Sequence, residues 1–372
     1  MVKITSIETV PVQVPIQDRL AIRARGGVHS VSPFLLIRIH TAEGISGLGE
    51  VSCTPRWSGE DQVTAAHFIA SIFAPLLIGQ DAREIERLSH RMRQALFGHP
   101  FTKAGIEMAL WDILGKVAGL PLYRLLGGPV REFVPTKWSI SGVEPPRAAE
   151  IASWAVEQGF RAMKVKVGID DAQDVARVRE VRQAIGSGIR LGIDANGAWT
   201  PTKAVEMIRR LQEFDICFAE QPVGAGDVNW LAEVRSRIDV PVIADESLYT
   251  AQDAIALVRA GAADVFSVYV GKSGGIAPSG QIAAIGEAAG LACTIGSNLE
   301  MGIGSAAMIH LAMATRAFGS SDYPCDIIGP LFYTDELLKE PLPIQGGEAR
   351  PPSGAGLGVE LDEEKVRQYR VP

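Results

Sequence analysis

Asp194, Glu220 and Asp245 stand at the ends of three apolar runs, LGIDAN, ICFAEQP and VPVIADES, at intervals of 26 and 25 residues. That interval suits one strand plus one crossover helix when parallel strands lie side by side. Carboxylates at the carboxyl ends of such strands point into the mouth of a barrel, where oxygen ligands can converge on one hard divalent ion. With no Cys or His at the three positions, the trio suits Mg²⁺ or Mn²⁺ better than a softer metal. Taken singly, each residue also has a plainer use, as a helix cap or as partner to a basic neighbour.

Lysines accompany the acids. In AMKVKVG, Lys164 and Lys166 are two residues apart, so on a strand both side chains leave the same face, toward the barrel mouth. VYVGKSGG ends another expected strand with Lys272, 27 residues after Asp245, which continues the spacing. Barrel order then predicts Lys166 and Lys272 on opposite sides of the acidic trio. A proton α to a carboxylate is too weakly acidic for a free amine to remove, unless a cation stabilises the enediolate that forms. One lysine could take the proton from one face and the other return it from the opposite face, with Lys164 as a fixed positive partner for the carboxylate oxygen. The plainer use of any one of these lysines is a structural ion pair with a barrel carboxylate.

These side chains need a scaffold, and 372 residues provide room for a barrel and a smaller companion. Hydrophobic content of 47% with 21% charged residues describes an ordinary globular chain. A net charge of −7 with no basic block argues against a nucleic-acid partner. Cys53, Cys217, Cys293 and Cys325 are scattered without zinc-type spacing, which suits reduced thiols in the cytoplasm. The opening MVKITSIETVPVQVP alternates like a strand rather than a signal peptide, and no apolar run is long enough to span a bilayer.

The texture changes twice along the chain. Residues 1–128 read as an α+β capping domain: SPFLLIRIHTAEGISGLGEV forms a hairpin turning at Glu43 and Gly44, and QVTAAHFIASIFAPLL and FTKAGIEMALWDILGKVAGL carry helical periodicity. Residues 129–340 alternate short β-branched runs (TKWSI, AMKVKV, IRLGID, ICFAE, VPVIAD, VFSVYV, ACTIG) with amphipathic stretches, which predicts an α/β fold of the (β/α) barrel type. Residues 341–372, rich in Pro and Gly, are expected to return to the cap.

The ordered set of cap, Lys-x-Lys strand, Asp-x-Asn, Glu-Gln-Pro, Asp-Glu-Ser and Lys-Ser-Gly-Gly resembles the enolase superfamily, specifically its muconate-lactonizing subgroup, over nearly the whole chain. Enolase-superfamily sites are known for a Lys or His base working with Mg²⁺. The resemblance implies a modified barrel with a capping domain, Asp194, Glu220 and Asp245 as metal ligands, Lys166 and Lys272 as an acid/base pair and Lys164 as an electrostatic partner. It places Asn196 in support of the site and Glu246 just behind it, where a helix-start role is the alternative. Mandelate racemase-type relatives use a late histidine, but TIGSNLEMGIG has none, and His310 reads as a packed helix residue.

Cap loops are expected to select the substrate, a small carboxylate. Arg23, Arg25 and Arg56 could hold a distal carboxylate, and Trp57 could close over an apolar portion. Asn196, Ser297 and Asp326 are further candidates for touching substrate. SDYPCDIIGPLFY resembles the final barrel strand, but its Asp326-Ile327-Ile328 breaks the Asp-x-Asp of dipeptide epimerases, and muconate cycloisomerases carry a glutamate there. The leading expectation is a metal-dependent isomerase acting through an enediolate in the manner of a muconate cycloisomerase, as a homo-oligomer. The alternative is a racemase or epimerase of an amino-acid or dipeptide-like substrate using two lysines. A Schiff-base aldolase and a non-catalytic barrel are more distant.

Overall fold

The computed structural model describes residues 1–24 and 27–372. The cap opens with a three-stranded antiparallel sheet of β1 (Ile4–Pro15), β2 (Val31–Thr41) and β3 (Ser46–Ser52), in the order β1-β2-β3. Between the first two, Ile22–Ala24 and Gly27–His29 pair as a small hairpin arm. Helix α1 (Pro100–Ala118) crosses the sheet with nearly every residue buried in its first thirteen positions. It can lie this close because β3 carries Gly47 and Gly49: a Cβ at either would overlap the carbonyl oxygen of Ala109 or Gly105 in α1.

The second layer is a parallel sheet of seven strands: β4 (Trp138–Ile140), β5 (Ala162–Lys166), β6 (Arg190–Asp194), β7 (Ile216–Glu220), β8 (Val242–Ala244), β9 (Val265–Val268) and β10 (Ala292–Ile295). Neighbours in sequence are neighbours in the sheet, with helices such as α2 (Ile276–Ala288) and α3 (Gly302–Ala314) on the outside. All seven expected strands are present. The segment expected as a last strand is not an extended stave. Cys325 makes a single bridge to Thr136, and the Asp326 amide donates to the Ile295 carbonyl at 2.7 Å, joining the two free edges of the sheet.

The C-terminal segment divides its contacts. Its hairpin, Ile344–Gln345 with Glu348–Ala349, pairs with Val134–Pro135 at the foot of the barrel, whereas Arg370 bridges Val12 and the Val371 amide donates to Pro11 on cap strand β1. No helix among the described residues is long and apolar enough to cross a membrane.

Candidate active site

Ladder register puts the candidate acids side by side. Lys166 is the Cα partner of Asp194, and Asp194 is the partner of Glu220, so the last residues of β5, β6 and β7 form one layer at the barrel mouth. Glu220 then pairs with Ile243, and Asp245 follows just past the end of β8. The turn that carries Asp245 is pinned by Gln221, whose Oε1 accepts from the amides of Asp245 and Ser247 at 2.9 and 3.2 Å. Asp194, Glu220 and Asp245 are each only 1% exposed.

Each acid is held by a cation or a hydroxyl. The Lys164 ammonium bridges three carboxylates, at 2.7 Å from Glu220, 2.9 Å from Asp326 and 3.2 Å from Asp194. The Lys166 ammonium lies 2.6 Å from Asp194 Oδ2 and donates to Asn196 Oδ1 at 2.9 Å. The Tyr269 hydroxyl donates to Asp245 Oδ2 at 2.6 Å. Burial, reinforced by the nearby carboxylates of Asp194, Asp326 and Asp245, raises the Glu220 carboxyl above its ordinary range despite Lys164. The Asp194 carboxyl is also buried, but Lys166 and Lys164 hold it below its ordinary value.

Asn196 does not continue the strand face beside Asp194. Its φ of 45° places it in a left-handed turn, a conformation asparagine tolerates better than most residues. From there its amide nitrogen Nδ2 donates to Glu246 Oε1 at 2.9 Å while its oxygen meets Lys166, so one side chain links the two. Burial, with the Asp245 carboxylate adding to it, pushes Glu246 up to about 7.

Above this layer lies a cavity of about 500 Å³. Its floor includes Lys164, Lys166, Asn196, Glu246, Tyr269 and Asp326. Its upper walls come from Ile22, Ala24, Val28 and His29 of the arm, Thr54, Arg56 and Trp57 of a cap loop, and Ser297, Leu299 and Ile328 of the barrel. Trp57 stacks on Tyr269, with centroids 5.2 Å apart and planes at 15°, and its indole N–H points to Glu246 Oε1 at 3.4 Å. Ser297 donates to Glu300 at 2.6 Å.

Three expectations need correction or lie beyond reach. Lys272 does flank the acidic trio from the Asp245 side, opposite Lys166 on Asp194, but it does not reach the cavity: it is fully buried and absent from the cavity lining, and its ammonium bonds Asp245 Oδ1, the Asp245 carbonyl at 2.7 Å and the Ser267 carbonyl at 3.1 Å. The reason is local. β9 ends at Val268 and the chain turns at once, with the Ser273 amide on the Tyr269 carbonyl, so Lys272 falls behind the barrel mouth and Tyr269 takes the front. Arg23 is also outside the cavity lining, exposed at the surface 3.8 Å from Glu144. Arg25 lies outside the described residues. His310 sits in the core of α3, stacked on Tyr123 and bonded to the Leu357 carbonyl, and burial lowers it to about 4.

Sequence reasoning missed Lys137. It is 1% exposed, 3.2 Å from Asp326 Oδ1 and donates to the Pro324 carbonyl at 2.7 Å, so Asp326 is clamped between Lys137 and Lys164. Although burial opposes it, these two lysines hold the Asp326 carboxyl below its ordinary range. A lysine inside the apolar run TKWSI was the available signal.

No cluster of three His, Cys, Asp or Glu side chains among the described residues is gathered closely enough, as it stands, to hold a metal. The donors nonetheless suit a hard cation. All are carboxylate oxygens on adjacent strand ends, Glu220 Oε2 is buried without a hydrogen-bond partner, and one ammonium already bridges two members of the trio. An oxygen cage built from them would require the lysine ammonium groups to leave the carboxylates.

A barrel whose strand-end carboxylates and lysines floor a cavity roofed by an α+β cap is the architecture of the enolase superfamily. The chain belongs to its mandelate racemase and muconate lactonizing enzyme family: residues 4–127 match the family's N-terminal domain and residues 147–365 the enolase C-terminal domain-like family. The relatives it matches are cycloisomerases, racemases and epimerases, all isomerases, and the superfamily generally uses Mg²⁺. The chain is 34% identical to muconate cycloisomerase 1 of Rhodococcus opacus, covering 98% of both chains. It is 31% identical to the N-succinyl-L-Arg/Lys racemase of Bacillus cereus, covering 99% of this chain and 98% of the relative. Among solved structures, the muconate lactonizing enzyme of Pseudomonas fluorescens with muconolactone superposes with a TM-score of 0.95 at 32% identity and full coverage of both chains.

Proposed function

We propose that this chain is a divalent-metal-dependent isomerase of the muconate cycloisomerase type, moving a proton at the carbon α to a carboxylate of a small dicarboxylate. Asp194, Glu220 and Asp245 would hold the ion, Mg²⁺ or Mn²⁺. When bound, such an ion supplies the positive charge that makes the α proton of a carboxylate removable.

The observation that carries the proposal is the position of Lys166. Its ammonium lies at the cavity floor, fixed between Asp194 and Asn196, with Lys164 beside it as a second positive charge. An amine set in this way can hold and deliver a proton at the α carbon of a substrate lying on the floor. In lactonisation one carboxylate oxygen of the substrate adds across a double bond, and the carbanion left α to the other carboxylate takes its proton from Lys166. The reverse direction begins with Lys166 removing that proton. Arg56, which lines the cap wall, would meet the far carboxylate. The arm and Leu299 and Ile328 enclose the carbon chain between them and limit the water that could quench the carbanion.

Muconate tests this directly. With Mg²⁺ present, the protein should convert it to muconolactone, excess chelator should stop turnover, and restored Mg²⁺ should recover it. Turnover indifferent to chelator, or retained by Lys166→Ala, would overturn the assignment.

A further inference from the structure

Among the described residues, the amines that line the cavity, Lys164 and Lys166, both come from β5 on one side. Lys166 is 13% exposed in its side chain and lines the cavity, whereas the corresponding place across the floor belongs to Tyr269. The Tyr269 ring is fixed on several sides. Trp57 stacks on it, the Lys272 ammonium lies 4.2 Å from its centroid, and the ring edge fills the space where a Cβ on Gly296 would stand. Its hydroxyl is committed to Asp245. Lys272 is enclosed behind that ring by Asp245 and Ser267.

Resting on the functional reading above, we propose that proton transfer in this enzyme is confined to the Lys166 face, and that Tyr269 is a positioning residue that closes the opposite face and orients Asp245. Substrates are then limited to reactions that handle one α proton from one side, such as ring closure or elimination. Inversion of an α carbon needs a proton removed from one face and returned on the other, and the second face offers a phenol engaged with a carboxylate, where a free amine would be required. The bonding is balanced without Lys272: the C–H pair goes to the carbanion, the proton goes to Lys166, and the same amine returns it.

Two measurements decide this, one of them independent of turnover. Reductive methylation of the native protein with formaldehyde and cyanoborohydride, read by peptide mass spectrometry, should modify Lys166 at least ~10-fold faster than Lys272, since Lys272 reacts only through local opening; equal rates would overturn the proposal. In the second, the Mg²⁺-loaded protein is incubated in D₂O with muconolactone and with N-succinyl-L-arginine and N-succinyl-D-arginine as probes. Deuterium should enter the α carbon from one face only, in one antipode of the pair, with no interconversion of the two.

Tyr269→Lys should raise exchange in the silent antipode by ~10²-fold or more, the usual worth of a placed acid/base group. Tyr269→Phe should leave the face selectivity intact while weakening Mg²⁺ affinity through Asp245. Exchange of both antipodes at similar rates, lost for one of them in Lys272→Gln, would overturn the inference and leave the function standing. Absence of all exchange and of muconate turnover would instead overturn the function, and the methylation ratio would still decide which amine faces the cavity.

Discussion

Glu107, on cap helix α1, sets one carboxylate oxygen 2.7 Å from the amide of Ile276 and the other 3.0 Å from that of Ala277, so a cap residue terminates barrel helix α2. Glu50 does the same for α3, accepting from the amides of Met301 at 2.8 Å and Gly304 at 3.0 Å. Helix starts leave amides without partners and carry partial positive charge, which a buried carboxylate satisfies on both counts. Cap and barrel therefore complete each other's backbone bonding, and parting them would leave these amides bare.

Truncating Glu107 to alanine should cost about 1–3 kcal/mol, the usual penalty for leaving buried donors without a partner. Its pH dependence follows from burial, which pushes the Glu107 carboxyl up to about 7 against the pull of the two amides and Trp111. A raised value means the folded chain holds this proton more tightly than the unfolded one. The resulting stability is complete below the unfolded carboxyl range and is lost as pH climbs through about 7. Urea denaturation of Glu107→Gln, which cannot ionise, should show a shallower loss between about pH 5 and pH 8 than the unaltered protein; parallel slopes would remove Glu107 from the account.

Lys166→Ala should lower kcat by ~10²–10⁴-fold, the range expected for loss of a placed acid/base group. The fold should survive, because Asp194 keeps Lys164 as a partner at 3.2 Å. Circular dichroism and steady-state kinetics on one preparation check both halves.

Glu220→Gln should abolish the stabilisation conferred by Mg²⁺ before it disturbs the fold. A ligand at a hundred times its Kd adds about 2.7 kcal/mol to a protein it binds only when folded. That increment, measured as a Mg²⁺-dependent rise in Tm, should be present in the unaltered chain and missing in the variant. An undiminished rise would show that the ion is held elsewhere.

Trp57→Ala removes a ring stack of the kind worth about 0.5–1.5 kcal/mol and opens the cavity wall. KM should rise more than kcat falls, and Trp57→Phe should restore most of the loss. A change confined to kcat would place Trp57 nearer the chemistry than its position in the wall indicates.

The strand-end acids were legible because barrel geometry imposes a regular interval, and each apolar run ends in a carboxylate where a hydrophobic residue would otherwise continue. Lys164 and Lys166 were legible for the same reason, as charges on alternating positions of a buried strand. Lys272 was misplaced because its spacing extends β9 by four residues beyond the point where the chain turns, and turn geometry leaves only a faint trace in Val-Gly-Lys-Ser. Glu50 and Glu107 were missed as domain joints, since a lone glutamate in an apolar pattern reads as an exposed face until the strand that carries Glu50 and the helix that carries Glu107 are found buried on both sides. Arg23 failed because no local pattern reveals which side of a two-stranded arm faces a cavity.

The seam made by Cys325 and Asp326 has a consequence for biosynthesis. Among the described residues the first and seventh staves do not pair with each other, so a chain emerging from the ribosome has an open sheet until residues 325 and 326 arrive. Asp326 is also the third carboxylate on the Lys164 ammonium. Closing the cylinder and balancing the charge at its mouth are thus one late event, and a nascent chain released short of it would carry the chemistry in its sequence without the vessel to perform it.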